Sequence, residues 1–90
     1  MWRVKVQVTL KKSVLDPQGA AVQKSLGALG YENVGRMQVG KYLEFTLTGV
    51  SREEGEAQVK DMCRRLLVNP VIEDYTFELL EAEGLPREGG

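Results

Sequence analysis

Trp2-Arg3-Val4-Lys5-Val6-Gln7-Val8-Thr9-Leu10-Lys11 alternates apolar and polar residues without a break. Successive side chains of a strand point to opposite faces. Trp2, Val4, Val6, Val8 and Leu10 therefore share an apolar face, and Arg3, Lys5, Gln7, Thr9 and Lys11 a polar one. β-Branched residues in the apolar phase suit a half-buried strand. Such a strand needs a cover on one side only, and the rest of the chain has to supply it.

The first cover follows at once. Leu15-Asp16-Pro17-Gln18-Gly19 opens a helix predicted over about residues 17–29. Asp16 caps the free N–H groups of the first turn, and Pro17 sits where its missing N–H costs nothing. Val22, Leu26 and Leu29 recur at helical spacing, and Gly30 supplies the left-handed residue that stops the helix. From Asn33 to Thr48 the period is two again, with Leu43, Phe45 and Leu47 opposite Tyr42, Glu44, Thr46 and Thr48. This reads as a short strand over Val34 to Val39, a turn around Gly40 and a second strand; one long bent strand is the competing reading. Ser51-Arg52-Glu53-Glu54 has the form of a capping box. Val59, Met62, Cys63 and Leu66 continue it as an apolar stripe, and Asn69-Pro70 ends the helix. Val71, Tyr75, Phe77 and Leu79 then share a last strand face.

The order β-α-β-β-α-β predicts an α+β two-layer sandwich of ferredoxin-like order, with two helices on one face of a mainly antiparallel sheet. Arg3 and Lys5 on the polar face match Glu44 on one later strand and Asp74 and Glu78 on another. Opposite charges favour neighbouring strands, which places the first strand centrally. Residues 1–80 form one domain, and residues 81–90, which lose all periodicity, read as a flexible tail.

The chain has 90 residues, a size that allows one modest core and no separate catalytic domain. Its 12 basic and 13 acidic residues nearly cancel, so there is no basic footprint for nucleic acid. Histidine is absent, and Cys63 is the only cysteine, which excludes a disulfide within the chain and a cysteine-rich zinc site. No signal-peptide pattern or membrane-length apolar run occurs, so the expected location is the cytoplasm.

The motifs that suggest chemistry fail on inspection. Gly35 to Tyr42 approaches a phosphate-binding loop, but Tyr42 stands where the magnesium-holding Ser or Thr is needed, and a strand follows instead of a helix. Cys63 lies on an apolar stripe with Arg64 and Arg65 turned away from it, so it reads as a buried hydrophobe. Glu73 and Asp74 point to opposite sides of a strand and cannot share a proton. The first strand lacks the aromatics of an RNA-recognition sheet. Lys11 to Pro17 also lacks the glycine-rich anion loop of an acylphosphatase. The expectation is a chain with no catalytic residues that works by association through a polar sheet face and strand edges.

Val8-Thr9-Leu10-Lys11, Leu15-Asp16-Pro17-Gln18-Gly19, Val39-Gly40-Lys41-Tyr42-Leu43-Glu44 and Asn69-Pro70-Val71-Ile72-Glu73-Asp74-Tyr75 together resemble the PurS family. Its members are the small subunit of phosphoribosylformylglycinamidine synthase in purine biosynthesis. The resemblance runs in order from the first strand to the last and stops near Leu80. It implies a non-catalytic subunit that bridges a glutaminase subunit and an ATP-dependent synthase subunit, as a homodimer or higher homo-oligomer. It also implies help with ammonia transfer, for conversion of formylglycinamide ribonucleotide to formylglycinamidine ribonucleotide. The resemblance assigns ATP and magnesium to the synthase subunit; this chain is expected to hold no cofactor and no metal and to have neither nucleic acid nor membrane as a partner.

Three segments are candidate contacts with partners or with a second copy: Asp16, Pro17, Gln18 and Gly19; Gly40, Lys41 and Tyr42; and Asn69, Glu73, Asp74 and Tyr75. They sit at loops and element ends, where binding residues concentrate. For Asp16, Pro17 and Asn69, helix punctuation is the competing explanation. The alternative function is a small-molecule-binding regulatory domain of the same architecture, acting as a dimer.

Overall fold

The central strand forms as its alternation dictates. In a computed structural model, which describes residues 1–82, β1 spans Trp2–Leu10 and runs between β2 (Lys41–Leu47) and β3 (Glu73–Glu81). Both neighbours are antiparallel to it. Val4 lies between Phe45 and Leu79, and Val6 between Leu43 and Phe77. The apolar phases of three strands therefore meet on one face. Val4, Val6 and Val8 are 0%, 0% and 1% exposed.

The charge argument for strand order holds in the register. Lys5 sits directly between Glu44 and Glu78, Arg3 Nε lies 3.5 Å from a Glu44 oxygen, and Lys11 Nζ lies 2.8 Å from Asp74 Oδ1. All of these groups are solvated, so they contribute to register more than to stability.

Helix α2 (Arg52–Met62) covers the apolar face. Its start is the expected capping box: Ser51 Oγ accepts from Glu54 N at 3.1 Å, and Glu54 Oε1 accepts from Ser51 N at 2.9 Å. Val59 and Cys63 are wholly buried against the β1 valines and Leu79. The predicted stripe fails at Leu66, which is 82% exposed. After Met62 the helix widens into a π-turn, Cys63–Leu67. An i→i+5 turn carries extra residue per revolution, so the inward position passes from Leu66 to Leu67 and Val68. Val71 is likewise 78% exposed, because β3 begins only at Glu73.

The fold class is the expected α+β arrangement of antiparallel strands and two helices, but the middle of the chain is placed differently from the sequence reading. Helix α1 (Pro17–Ala28) ends before Gly30, whose φ of 103° is the anticipated left-handed stop. Among the residues of α1 only Gly19 is buried. Val22 is 41% exposed and Leu29 73%, so α1 does not spread its stripe over the sheet. The short strand expected over 34–39 has no strand partner among the described residues. Its neighbour is α1: Met37 N donates to Gln23 Oε1 at 3.0 Å and Val39 N to Asp16 Oδ2 at 3.1 Å. A Cβ at Gly19 would collide with the Met37 carbonyl oxygen, so the closeness of this pairing requires glycine. The chain is correspondingly long, with a Cα radius of gyration of 16.8 Å. A compact chain of this length would have roughly 12 Å. Of the expected tail, Glu81 closes β3, Ala82 N donates to Met1 O at 2.9 Å, and residues 83–90 lie outside the described residues.

Replacing Val6 by Ala removes two methyl groups from the fully enclosed centre and is expected to cost about 2 kcal/mol in urea unfolding. Thr76→Ala, on the open face, is expected to stay within about 0.5 kcal/mol.

Candidate functional site

The three candidate segments are far apart in sequence, and the fold gathers residues of all three near the Leu10 end of β1. Helix capping fixes the first. Asp16 Oδ1 accepts from Gly19 N at 2.9 Å while Oδ2 accepts from Val39 N, so one carboxylate ties the start of α1 to the segment before Gly40. These two N–H donors hold the Asp16 carboxyl below the usual carboxylate range. Pro17 is the first helical residue, and Asp16 is the cap. Punctuation is thus what the geometry shows for both.

The second segment begins at a close crossing. A Cβ at Gly40 would strike the Val8 carbonyl oxygen, so only glycine brings this strand alongside β1 here. The third segment is locked by Asn69. Its Oδ1 accepts from Val71 N at 3.1 Å, its carbonyl accepts from Ile72 N and Glu73 N, and its own N–H donates to Glu73 Oε1 at 2.7 Å. Asn69 therefore shapes the turn that launches β3.

Gln18, Gly40, Lys41 and Glu73 come together around one groove of about 260 Å³, floored by Val8, Leu10 and Val39. One residue of each segment, or more, thus lines a common surface. Tyr42, Asp74 and Tyr75 are not part of it. Tyr42 lies on the open sheet face with Lys5, Gln7, Thr76 and Glu78, around a depression of about 360 Å³. Lost hydration, then its bond to Glu44 Oε1 at 3.0 Å, pushes the Tyr42 hydroxyl pKa up. Asp74 and Tyr75 border a smaller hollow of about 210 Å³ with Gln7, Thr9 and Thr76.

None of these three surfaces holds a recognisable reaction centre among the described residues. Cys63 is buried, and burial raises its thiol pKa, away from the thiolate that a nucleophile needs. Among the described residues no three His, Cys, Asp or Glu side chains are grouped to hold a metal ion, and no helix is long and apolar enough to cross a membrane.

Sequence reasoning missed the contacts at the opposite end of the sheet. Trp2 Nε1 donates to Val50 O at 3.0 Å, Arg52 stacks over the Trp2 ring at 4.9 Å, and Arg52 Nη2 donates to Leu79 O at 3.0 Å. Arg52 thereby occupies a carbonyl of β3. No pattern marks these residues, because their contacts span 27 to 50 positions of sequence.

Comparison with known proteins matches this framework as a whole. The PurS family profile, described as phosphoribosylformylglycinamidine (FGAM) synthase, matches residues 3–81. The PurS subunit of phosphoribosylformylglycinamidine synthase from Bacillus subtilis is 49% identical over 90% of this chain and 95% of its own length. The crystal structure of PurS from Methanocaldococcus jannaschii superposes with a TM-score of 0.83 at 36% identity, covering 92% of this chain and all of that one. A chain in the structure of PurLQS from Thermotoga maritima gives a TM-score of 0.81 at 28% identity, over 88% of this chain and 96% of that one.

Asp16→Ala is expected to lower the melting temperature by a few degrees at pH 7. Because the folded-state pKa is depressed, this stabilisation is full above the ordinary carboxylate value and is lost as pH falls through the lowered one. Melting curves of the wild type and variant should therefore converge in acid. Cys63 should resist alkylation in the folded protein and react only on denaturation, as a thiol count in buffer and in guanidinium will read.

Proposed function

The chain belongs to the PurS family of phosphoribosylformylglycinamidine synthase, and we propose that it acts there as a non-catalytic assembly subunit. In this reading it bridges the glutaminase and the ATP-dependent synthase subunits in the cytoplasm. It assists the passage of ammonia used to convert formylglycinamide ribonucleotide to formylglycinamidine ribonucleotide. It works as a homodimer or higher homo-oligomer, binds no cofactor itself, and leaves ATP and magnesium to the synthase subunit.

One observation carries the proposal. The groove lined by Gln18, Gly40, Lys41 and Glu73 gathers residues from three sequence-distant segments, and it contains no activated nucleophile and no paired acid and base. Such a surface can position a partner and has nothing with which to transform a substrate. The related chain within PurLQS of Thermotoga maritima supports the same role. No observation favours a small-molecule-binding regulatory domain.

Co-purification tests the reading. The chain, mixed with the glutaminase and synthase subunits in the presence of glutamine and nucleotide, should elute with both. Lys41→Glu or Gln18→Glu, both in the groove, should weaken capture at least tenfold while leaving the melting temperature within a few degrees. Undiminished capture by both variants would remove these positions from the contact surface, and no co-elution of the wild type would overturn the proposal.

A further inference from the structure

The outer side of β3 is closed at both ends and open in the middle. β3 pairs with β1 on one side and with no strand on the other among the described residues. Lys11 N donates to Ile72 O at 2.8 Å and Ala82 N to Met1 O at 2.9 Å, one bond at each end of the β1–β3 ladder. Antiparallel strands exchange hydrogen bonds at every second residue, so Asp74, Thr76, Glu78 and Leu80 supply the bonds to β1. The backbone groups of Glu73, Tyr75, Phe77 and Leu79 therefore point outward. Two of these groups are taken. Glu73 N donates to Asn69 O at 2.8 Å, and Leu79 O accepts from Arg52 Nη2 at 3.0 Å. Between these two stops, the N–H and C=O groups of Tyr75 and Phe77 have no partner among the described residues.

The side chains of this open stretch define what fits against it. On the covered face Tyr75, 36% exposed, stacks on Phe77 with ring centroids 6.3 Å apart. On the open face Asp74 and Glu78 flank Thr76. Lys11 and Lys5 approach these two carboxylates from the β1 side only. β3 also carries Glu73 and Glu81, and it contains no lysine or arginine.

We propose that this open length of β3 is a docking edge for an extended segment of a partner protein, one in which two cationic side chains flank an apolar–polar–apolar triplet. The segment adds antiparallel to β3 and takes the free backbone bonds of Tyr75 and Phe77. Its apolar residues lie beside those two rings. Its cations lie opposite Asp74 and Glu78, in the non-hydrogen-bonded positions where facing side chains come closest. The turn at Asn69 and the Arg52 guanidinium bound the length that can dock. The β3 of a second copy is a poor occupant, because pairing about Thr76 sets Asp74 against Glu78 twice. The docking edge goes beyond the proposed subunit role, which leaves it unassigned, and the isolated chain tests it without the larger subunits.

The probe is the end-blocked peptide Arg-Val-Thr-Val-Arg, titrated into the full chain at low salt while amide hydrogen exchange is followed by NMR. Exchange at Tyr75 and Phe77 should slow about tenfold or more at saturating peptide, with no change along the outer edge of β2. The peptide Glu-Val-Thr-Val-Glu should protect neither amide. Tyr75→Pro removes an outward N–H and no bond to β1, and should weaken binding of the basic peptide roughly tenfold. Should that variant fail to fold, Glu78→Gln carries the test, with an expected weakening of about threefold. No protection by the basic peptide, equal protection by the acidic one, or protection confined to β2 would each overturn the proposal. So would unchanged binding by the folded variants. Protection of Tyr75 and Phe77 that rises with chain concentration in the absence of peptide would assign the edge to a second copy and overturn it too.

Discussion

The row Val4, Val6 and Val8 is the constraint on which the rest of the molecule depends. These three side chains are removed from solvent by β2 on one flank, β3 on the other and α2 above. Burying each contributes roughly 1.5–3 kcal/mol, a large share of the net stability available to a domain of this size. Their period of two also fixes what faces outward. Once the valines are committed to the core, Arg3, Lys5, Gln7 and Thr9 must line the open face, whatever that face is used for.

That dependence explains why the first strand was fully legible in the sequence and other parts were not. Strict alternation, the Ser51 capping box, the Asp16 cap and Gly30 are local rules, and each appears where the residues placed it. The position of β1 between β2 and β3 was legible too, through the opposed charges of Lys5, Glu44 and Glu78. Leu66 and Val71 failed because a π-turn and a late strand start shift the phase by one or two residues, which helical and strand periods do not encode. The segment 34–39 failed for a different reason. Its period is that of a strand, but its hydrogen bonds go to Gln23 and Asp16 of α1.

The candidate site divides in the same way. Asp16, Pro17 and Asn69 carry the sequence motifs most visibly, and the structure gives them work in capping and turn closure. Gln18, Gly40, Lys41 and Glu73, from the same motifs, are the ones assembled around a shared groove. The same motifs therefore supply both, with some members fixing the architecture and their neighbours lining the groove. The Trp2–Arg52–Leu79 contact had no local signature at all.

The proposed role of this chain, holding the larger subunits in place while they carry out the chemistry, can be tested in the assembled synthase. The most direct measurement compares nitrogen sources in the reconstituted synthase. Formation of formylglycinamidine ribonucleotide is followed with glutamine and, separately, with a high concentration of ammonium salt, each with and without this chain. The account predicts that omitting the chain abolishes the glutamine-dependent rate and leaves ammonium-dependent synthesis largely intact. It also predicts that activity saturates at a fixed stoichiometric ratio of the chain to its partners. A glutamine-dependent rate unchanged by omission, or turnover of any reactant by the chain alone, would contradict it.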